Sequence, residues 1–238
     1  MQTLAWPAAR AVLPRAAATT LVLRDSERGP EVLMVKRSPH ASFMPGAYVF
    51  PGGAVDAADA EAAQDESSAA LAQRIGCVTG IGERAAAYAV AALRECQEEC
   101  GLDLGSTTAL QPWSHWVTPL GLPKRFDTLF FVCRAPVGQQ PQPDEGETTT
   151  LEWVVPRRAL QAQAAGNFQM EFATLSTVRS LLPFGDRDVQ AILDHAAALT
   201  HLPTLHPRVR LDESRRVIGV LLPGEAGYAE LEGDGDGK

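Results

Sequence analysis

The sequence is poor in positive charge, in cysteine and in long apolar runs. Its 238 residues include 21 lysines and arginines against 29 aspartates and glutamates, so the net charge is −8. This balance excludes a protein that binds nucleic acid through a broadly basic surface. The four cysteines, Cys77, Cys96, Cys100 and Cys133, have no Cys-x-x-Cys spacing. We therefore expect reduced cysteines rather than disulfides, and we expect Cys96 and Cys100, one turn apart, to be small core residues rather than a soft-metal site.

No stretch of the chain is apolar enough for a membrane span, which takes roughly 18 consecutive apolar residues. The opening segment carries Arg10 and Arg15 and no acidic residue, but it lacks the continuous apolar run of a secretory signal. We expect a cytoplasmic protein that does not enter a membrane. A transit peptide is the alternative for this segment.

The length fits one domain with additions. We predict an N-terminal extension over residues 1–14, a domain over 15–225 and an acidic, disordered tail over 226–238. Within the domain, an Ala-rich insertion covers about 56–82 and a helical C-terminal part covers about 156–200.

Strand-like and helix-like patterns alternate along the domain, which predicts an α+β fold with a mixed sheet in α/β/α layers. The predicted strands cover 16–24, 31–37, 47–50, 113–119, 125–134 and 148–155, with a hairpin-like segment at 209–222. The predicted helices cover 57–74, 156–165, 172–182 and 186–199, besides one that carries clustered acidic residues.

That acidic helix places Glu95, Glu98 and Glu99 at positions i, i+3 and i+4, within an arc of about 100°. Its opposite side is apolar, and Gly101 is suited to end it. Clustered carboxylates supply the hard oxygen ligands that Mg²⁺ and Mn²⁺ prefer. Arg94, one turn before Glu98, is placed to hold that carboxylate. The alternative is a solvated acidic face.

Two separate segments flank the insertion. Gly53 is followed six positions later by Asp59, and Arg94 to Leu102 read Arg-Glu-Cys-Gln-Glu-Glu-Cys-Gly-Leu. These segments resemble the two halves of the box that marks the Nudix hydrolase family, with Asp59 in place of glutamate. In this chain 34 residues separate the halves, against seven in the family. The split box is similar to that of the CoA and acyl-CoA diphosphatase branch, which implies a Nudix-type α/β/α sandwich with additional C-terminal helices.

A second signature of that branch lies upstream of the box. Arg37 and Ser38, then Gly46, and then Phe50 to Gly53 match its pattern, whereas Ser42 stands where arginine is expected. The resemblance implies that Arg37, Ser38, Phe50 and Gly53 bind substrate. The alternative is structural: the glycines and prolines make turns, and Arg37 pairs with a nearby acidic residue.

The resemblance also implies a catalytic centre. It assigns the binding of Mg²⁺ or Mn²⁺ to Glu95, Glu98, Glu99 and the carbonyl of Gly52. It assigns catalysis to the same three glutamates and Arg94. Glu98 or Glu99 is a candidate general base, and Glu145 and Glu147 of an acidic loop are further candidates. Arg125 and Asp127, at the start of an apolar strand, are further candidates for substrate binding, and structural pairing between the two is the alternative.

The activity implied is metal-dependent hydrolysis of a diphosphate bond in a nucleoside diphosphate linked to another moiety. CoA or acyl-CoA would give adenosine 3′,5′-bisphosphate and an (acyl-)4′-phosphopantetheine. The replacement of arginine by Ser42 keeps ADP-ribose, NADH or a nucleoside triphosphate open as substrates. A catalytically inactive ligand-sensing module is the alternative of another class. The expected partner is a small nucleotide-type molecule and not nucleic acid, a homodimer is left open, and the insertion could cap the site or form a dimer contact.

Overall fold

The structure is a computed structural model and describes residues 12–39, 45–63, 66–144, 148–214 and 216–231. The strands are β1 Arg15–Arg24, β2 Glu31–Arg37, β3 Tyr48–Val49, β4 Gly52–Ala54, β5 Gln111–Val117, β6 Phe126–Arg134, β7 Thr148–Val154, β8 Thr204–Leu205, β9 Arg208–Leu211 and β10 Val217–Leu221. The helices are α1 Ala57–Ala62, α2 Glu66–Thr79, α3 Ala85–Cys100, α4 Pro156–Ala164, α5 Phe172–Ser180 and α6 Val189–Ala197.

The strands β1 and β6 form the parallel centre of a mixed sheet. They pair without interruption from Arg15 opposite Phe126 to Leu23 opposite Arg134. The C-terminal end of β1 pairs antiparallel with β2, whereas residues near its start pair antiparallel with β4. The order across the sheet is β3-β2-β1-β6-β5-β8, with β7 paired to β2. Two strands therefore share one edge of β1, and β4 reaches the sheet beside its first half.

Side chains of the central strands alternate between two cores, as expected for strands covered on both faces. Leu129 and Phe131 of β6 face a core that includes α2 and α3. Phe130 and Val132 face the other core, which includes residues of α4, α5 and α6. The predicted α+β fold, with a mixed sheet between two helical layers, is confirmed.

The insertion contains two helices, so the prediction of one helix over 57–74 is wrong. An Ala-rich composition favours helix throughout and gives no signal for the break. Leu71 and Ile75 of α2 are buried in the core beside α3. The backbone N–H of Leu202 donates a hydrogen bond to the carbonyl of Val78 over 2.8 Å. The insertion therefore thickens the helical layer.

The segment after α6 contains a strand that the sequence pattern did not indicate. The two residues of β8 pair parallel to β5, with Thr204 opposite His115. Pro203 and Pro207 flank this strand and gave the segment an irregular pattern. The predicted hairpin is present as β9 and β10 in a separate two-stranded sheet.

Residues 226–231 are fixed to this hairpin, although the sequence predicted a disordered tail from residue 226. The Arg208 guanidinium donates hydrogen bonds to the carbonyls of Tyr228 and Leu231 over 3.1 and 2.6 Å. It also lies 4.4 Å from the centre of the Tyr228 ring. The prediction is therefore wrong for 226–231, and residues 232–238 lie outside the described part of the chain.

None of the helices in the described part of the chain has the length and apolarity needed to span a bilayer.

Candidate active site

Helix α3 presents its apolar back to the core and its acidic residues to the front. Ala89, Cys96 and Cys100 are fully buried on the back. The helix ends at Gly101, which has φ of 64° and whose N–H donates a hydrogen bond to the carbonyl of Gln97. Glycine adopts this left-handed conformation without the steric cost of a Cβ. The predicted helix, its end and its buried cysteines are therefore present.

The three carboxylates at the front have different environments. The Glu98 side chain is 58% exposed and the Glu95 side chain is 14% exposed. Glu99 is buried, and its Oε2 accepts a hydrogen bond of 2.9 Å from the backbone N–H of Gly52. The front of the helix is therefore joined to strand β4, and only one of the three carboxylates is mainly in solvent.

Arg94 organises the other two carboxylates through an ion-pair network with Asp59, Glu95 and Glu98. Its Nε and Nη2 donate to the two oxygens of Asp59, each over 2.9 Å. Its Nη1 donates to Glu95 over 2.8 Å and to Glu98 over 2.9 Å. Nη2 also donates to the carbonyl of Ala54 in β4. The hydrogen bond with Asp59 raises the pKa of Arg94, so the guanidinium stays charged. The predicted contact with Glu98 is present.

Asp59 brings the two halves of the split box together. Its side chain is 2% exposed, and it pairs with an arginine that lies 35 positions later in the chain. Burial raises the pKa of Asp59, but hydrogen bonds from Arg94 and from the backbone N–H of Asp56 outweigh burial and hold the pKa below its usual value. Asp59 is therefore an ionised, buried anchor for Arg94.

The consecutive glycines of β4 allow two close approaches. A Cβ on Gly53 would overlap the carboxylate of Glu95, and a Cβ on Gly52 would overlap the carbonyl oxygen of Ala18. The missing side chain of Gly52 therefore lets β4 pair with β1, and the missing side chain of Gly53 lets the Glu95 carboxylate lie against β4. The sequence does not identify either partner, because both contacts join residues that are distant in the chain.

A cavity of about 640 Å³ lies in front of the carboxylates. Its floor is formed by three cross-strand pairs of β1 and β6: Arg15 with Phe126, Ala17 with Thr128, and Thr19 with Phe130. Gly52–Ala54 and the three glutamates form one wall. Arg37 and Phe50, from the predicted substrate-binding set, also line it. The predicted metal ligands Gly52, Glu95, Glu98 and Glu99 therefore meet at one cavity, whereas Asp59 and Arg94 of the box are not among its lining residues.

Two predicted substrate-binding residues lie elsewhere. Arg125 is buried and donates hydrogen bonds to the carbonyls of Thr118 and Val12. Asp127 pairs with buried His115 and does not line the cavity. Burial raises the pKa of Asp127, but the hydrogen bond with His115 outweighs burial and holds the pKa below its usual value. Both residues hold strand β6 in place in this structure.

Three more predicted site residues, Ser38, Glu145 and Glu147, are not among the described residues that line the cavity. Ser38 is absent from that lining, and Glu145 and Glu147 lie outside the described residues. The sequence patterns did not assign Arg15, Lys124 or Asp144 to the site, yet all three residues line the cavity. Arg15 is the first residue of β1 and Lys124 lies two positions before β6, so the parallel register of those strands brings the two cations to one end of the cavity.

The carboxylate cluster has the donor chemistry of a site for a hard divalent cation. Burial is the main cause that raises the pKa of Glu95, and the negative charges of Glu98 and Asp59 add to it against the opposing effect of Arg94. A cation would relieve this repulsion. No three His, Cys, Asp or Glu side chains in the described ranges already surround a common metal position. Arg94 holds Glu95 and Glu98, and the N–H of Gly52 holds Glu99.

A family model described as a NUDIX domain matches residues 13–173. The chain belongs to the Nudix family. A solved structure of a NUDIX hydrolase from Alicyclobacillus acidocaldarius aligns with a TM-score of 0.63 and 26% identity, covering 76% of this chain and 96% of that one. The predicted family and fold are confirmed, and so is the enzyme class, a Nudix hydrolase.

Named Nudix relatives extend the comparison. The human acyl-coenzyme A diphosphatase NUDT19 is 26% identical, with 85% of this chain and 73% of the relative covered. The Xenopus laevis protein of the same name is 24% identical, with 55% of this chain and 54% of the relative covered. The chain therefore spans about three quarters of the human relative and about half of the frog one.

Proposed function

We propose that this Nudix hydrolase cleaves the diphosphate bond of CoA or acyl-CoA. The observation that carries the proposal is the Arg94 network, which holds Glu95 and Glu98 beside Glu99 at the wall of a cavity that also contains Arg37. The names of the human and frog relatives support an acyl-CoA substrate. The products are adenosine 3′,5′-bisphosphate and an (acyl-)4′-phosphopantetheine.

The hydrolysis needs charge neutralisation and an activated water. Glu95, Glu98, Glu99 and the carbonyl of Gly52 would hold Mg²⁺ or Mn²⁺, which when bound neutralises phosphate charge and lowers the pKa of water. A water oxygen forms a new bond to phosphorus, the P–O bond of the bridging oxygen breaks, and the water proton passes to a general base. That bridging oxygen leaves with the other phosphate. Each cleavage therefore consumes one water molecule.

Individual side chains of the site have separable tasks in this proposal. Arg94 is a positioning residue, because it contacts Glu95 and Glu98 rather than the cavity floor. Arg37 lines the cavity and can pair with a phosphate of the substrate. Glu98 is the favoured general base among the described residues, since its carboxylate is the most exposed of the three. Glu145 and Glu147 remain the candidates of the acidic loop.

A second substrate class within the same chemistry is ADP-ribose, NADH or a nucleoside triphosphate. Ser42 favours it, because the arginine expected for a CoA phosphate is absent. An inactive ligand-sensing module is disfavoured, because Glu95, Glu98 and Glu99 are all retained beside the cavity.

The test is hydrolysis of CoA, an acyl-CoA, ADP-ribose and NADH with Mg²⁺ or Mn²⁺, followed by chromatography, with a chelator as the control. We expect the highest kcat/KM for CoA or acyl-CoA. The variant Glu98→Gln should lose turnover and keep its unfolding midpoint, because Glu98 is exposed. Glu83→Gln, on the exposed turn before α3, removes the same charge outside the cavity and should remain active. Full activity of Glu98→Gln would refute the assignment.

A further inference from the structure

Two cations lie at the end of the cavity where β1 and β6 begin. Arg15 is the first residue of β1, and Lys124 lies two positions before β6. The parallel register places Arg15 opposite Phe126, and the backbone N–H of Arg15 donates a hydrogen bond to the carbonyl of Arg125 over 2.9 Å. Both residues line the cavity. The topology therefore gathers positive charge at one end of the cavity floor.

This end is separated from the carboxylate wall along the strand. Ala54, the near end of the wall, pairs with Ala17, two residues from Arg15 in β1, and Gly52, the far end, pairs with Thr19, four residues away. At about 3.3 Å per residue, these intervals are roughly 7 Å and roughly 13 Å of strand. A substrate whose diphosphate lies against the wall at Gly52 would therefore meet Arg15 and Lys124 with a different part of the molecule.

Both cations are accessible to a ligand. The Arg15 side chain is 63% exposed and pairs over 2.9 Å with Asp56, which is 55% exposed. Ion pairs of this exposure are weak and exchange readily for a better partner. A phosphate offers more charge than a carboxylate and accepts two parallel hydrogen bonds from guanidinium. Lys124 is also exposed and adds a second positive charge beside the same floor.

We propose that Arg15 and Lys124 form a subsite for a phosphate monoester on the nucleotide half of the substrate, separate from the diphosphate that is cleaved. The proposal rests on the proposed function and narrows its substrate class. CoA carries such a group at the ribose 3′ position, whereas ADP-ribose and NADH do not. In the upstream signature, Ser42 stands where an arginine is expected for a CoA phosphate. The subsite of Arg15 and Lys124 supplies positive charge for a phosphate in place of that arginine.

The kinetic test compares CoA with the same molecule lacking its 3′-phosphate. In Arg15→Ala and Lys124→Ala we expect kcat/KM for CoA to fall about ten- to a hundredfold, through KM, as for loss of a charge-assisted hydrogen bond. The kcat/KM for the dephosphorylated substrate should not change. The matched control is Arg134→Ala, because Arg134 is 41% exposed and pairs with Asp25 at the other end of the same strands. Equal losses on both substrates, or none, overturn the subsite.

A binding measurement separates failure of the subsite from failure of the proposed function. If the wild-type protein hydrolyses neither substrate, the proposed function fails. Calorimetric binding of adenosine 3′,5′-bisphosphate and of adenosine 5′-monophosphate, both in chelator, still tests the subsite. We expect the wild type to prefer the bisphosphate by about tenfold and Arg15→Ala to lose that preference. Equal affinity of the wild type for both nucleotides contradicts the proposal.

Discussion

At the scale of single residues, Gly53 is the position at which the smallest change should alter the site. Its missing Cβ leaves the space that the Glu95 carboxylate occupies. Gly53→Ala should push that carboxylate away from Arg94 and lower kcat/KM by about tenfold or more, as expected for a misplaced catalytic group. Its unfolding midpoint should change little, because the displaced atoms are the far end of a side chain. Steady-state kinetics and thermal unfolding measure the two effects.

The control for this variant is Gly219→Ala. A Cβ at Gly219 has Arg210 Cβ as its nearest neighbour at 3.8 Å, which is an ordinary contact, and the position lies in β10, away from the cavity. This variant should match the wild type in both assays. Unchanged kinetics in Gly53→Ala would show that Glu95 functions equally well when displaced.

Asp59 should contribute to stability as well as to activity. Asp59→Asn keeps the shape of the side chain but removes the charge that pairs with Arg94 over two bonds of 2.9 Å. We expect a loss of about 1–3 kcal/mol in the free energy of unfolding, because the partly buried Arg94 guanidinium loses one of its carboxylate partners and the buried side chain no longer carries the matching charge. Urea unfolding at pH 7 measures it, and activity should fall in parallel. Asp56→Asn, at an exposed position, should change the free energy by less than about 0.5 kcal/mol.

Residue spacing predicts contacts within one helix better than contacts between strands. The carboxylates of α3 and the bond from Arg94 to Glu98 follow from i, i+3 and i+4 geometry, which the sequence states directly. The places of Arg15 and Lys124 depend on the register of two strands more than 100 positions apart, as Arg15 opposite Phe126 illustrates. Successive side chains of β6 point to opposite faces of the sheet, so Asp127 points away from the cavity and pairs with His115. The sequence alone does not indicate which face of β6 lines the cavity.

At the scale of elements, Asp25 joins the loop after β1 to α6 and to β6. Its Oδ1 accepts a hydrogen bond from the N–H of Val189 over 2.7 Å, and its Oδ2 pairs with Arg134 over 2.6 Å. Burial raises the pKa of Asp25, but these two partners outweigh burial and hold the pKa below its usual value. The ionised carboxylate therefore stabilises the native state.

The pH dependence of this contribution has a defined sign. Because the folded pKa is depressed, the stabilisation is complete above the unfolded pKa of about 3.9 and is lost as the pH falls through the folded pKa. Asp25→Asn should lower the free energy of unfolding at pH 7, and the gap to the wild type should begin to narrow as the pH falls below about 4. Urea unfolding at pH 7, 5 and 3 measures it. A gap as large at pH 3 as at pH 7 would assign the effect to packing.

The elements that composition predicted well are those with strong periodicity or clear ends. Pro156 begins α4, and the left-handed Gly101 follows the end of α3, as predicted. The break between α1 and α2 gave no signal, because alanine favours helix on both sides. The two-residue strand β8 is too short to carry an alternating pattern and depends on pairing with β5.

At the scale of the whole molecule, metal binding should appear as thermal stabilisation. A cation that binds only the native state at a hundred times its Kd adds about 2.7 kcal/mol. For a chain of this size, that corresponds to a rise in Tm of roughly 5–10 °C. We expect Mn²⁺ to raise Tm and chelator to reverse the rise. A double variant, Glu95→Gln with Glu98→Gln, should lose the response, whereas Glu83→Gln should retain it. An equal response in all three proteins would place the bound metal elsewhere.

The pairing of Asp59 with Arg94 also bears on how such proteins are recognised. Closing a flexible loop costs only about 0.6 kcal/mol more for each doubling of its length. The segment between Asp59 and Arg94 can therefore contain an additional helix at little cost in free energy. Here the two partners are 35 positions apart, yet they form a bidentate pair. A search pattern with a fixed interval would pass over this chain. One that lets the interval vary, and requires the acid, the arginine and the three glutamates, would recover it.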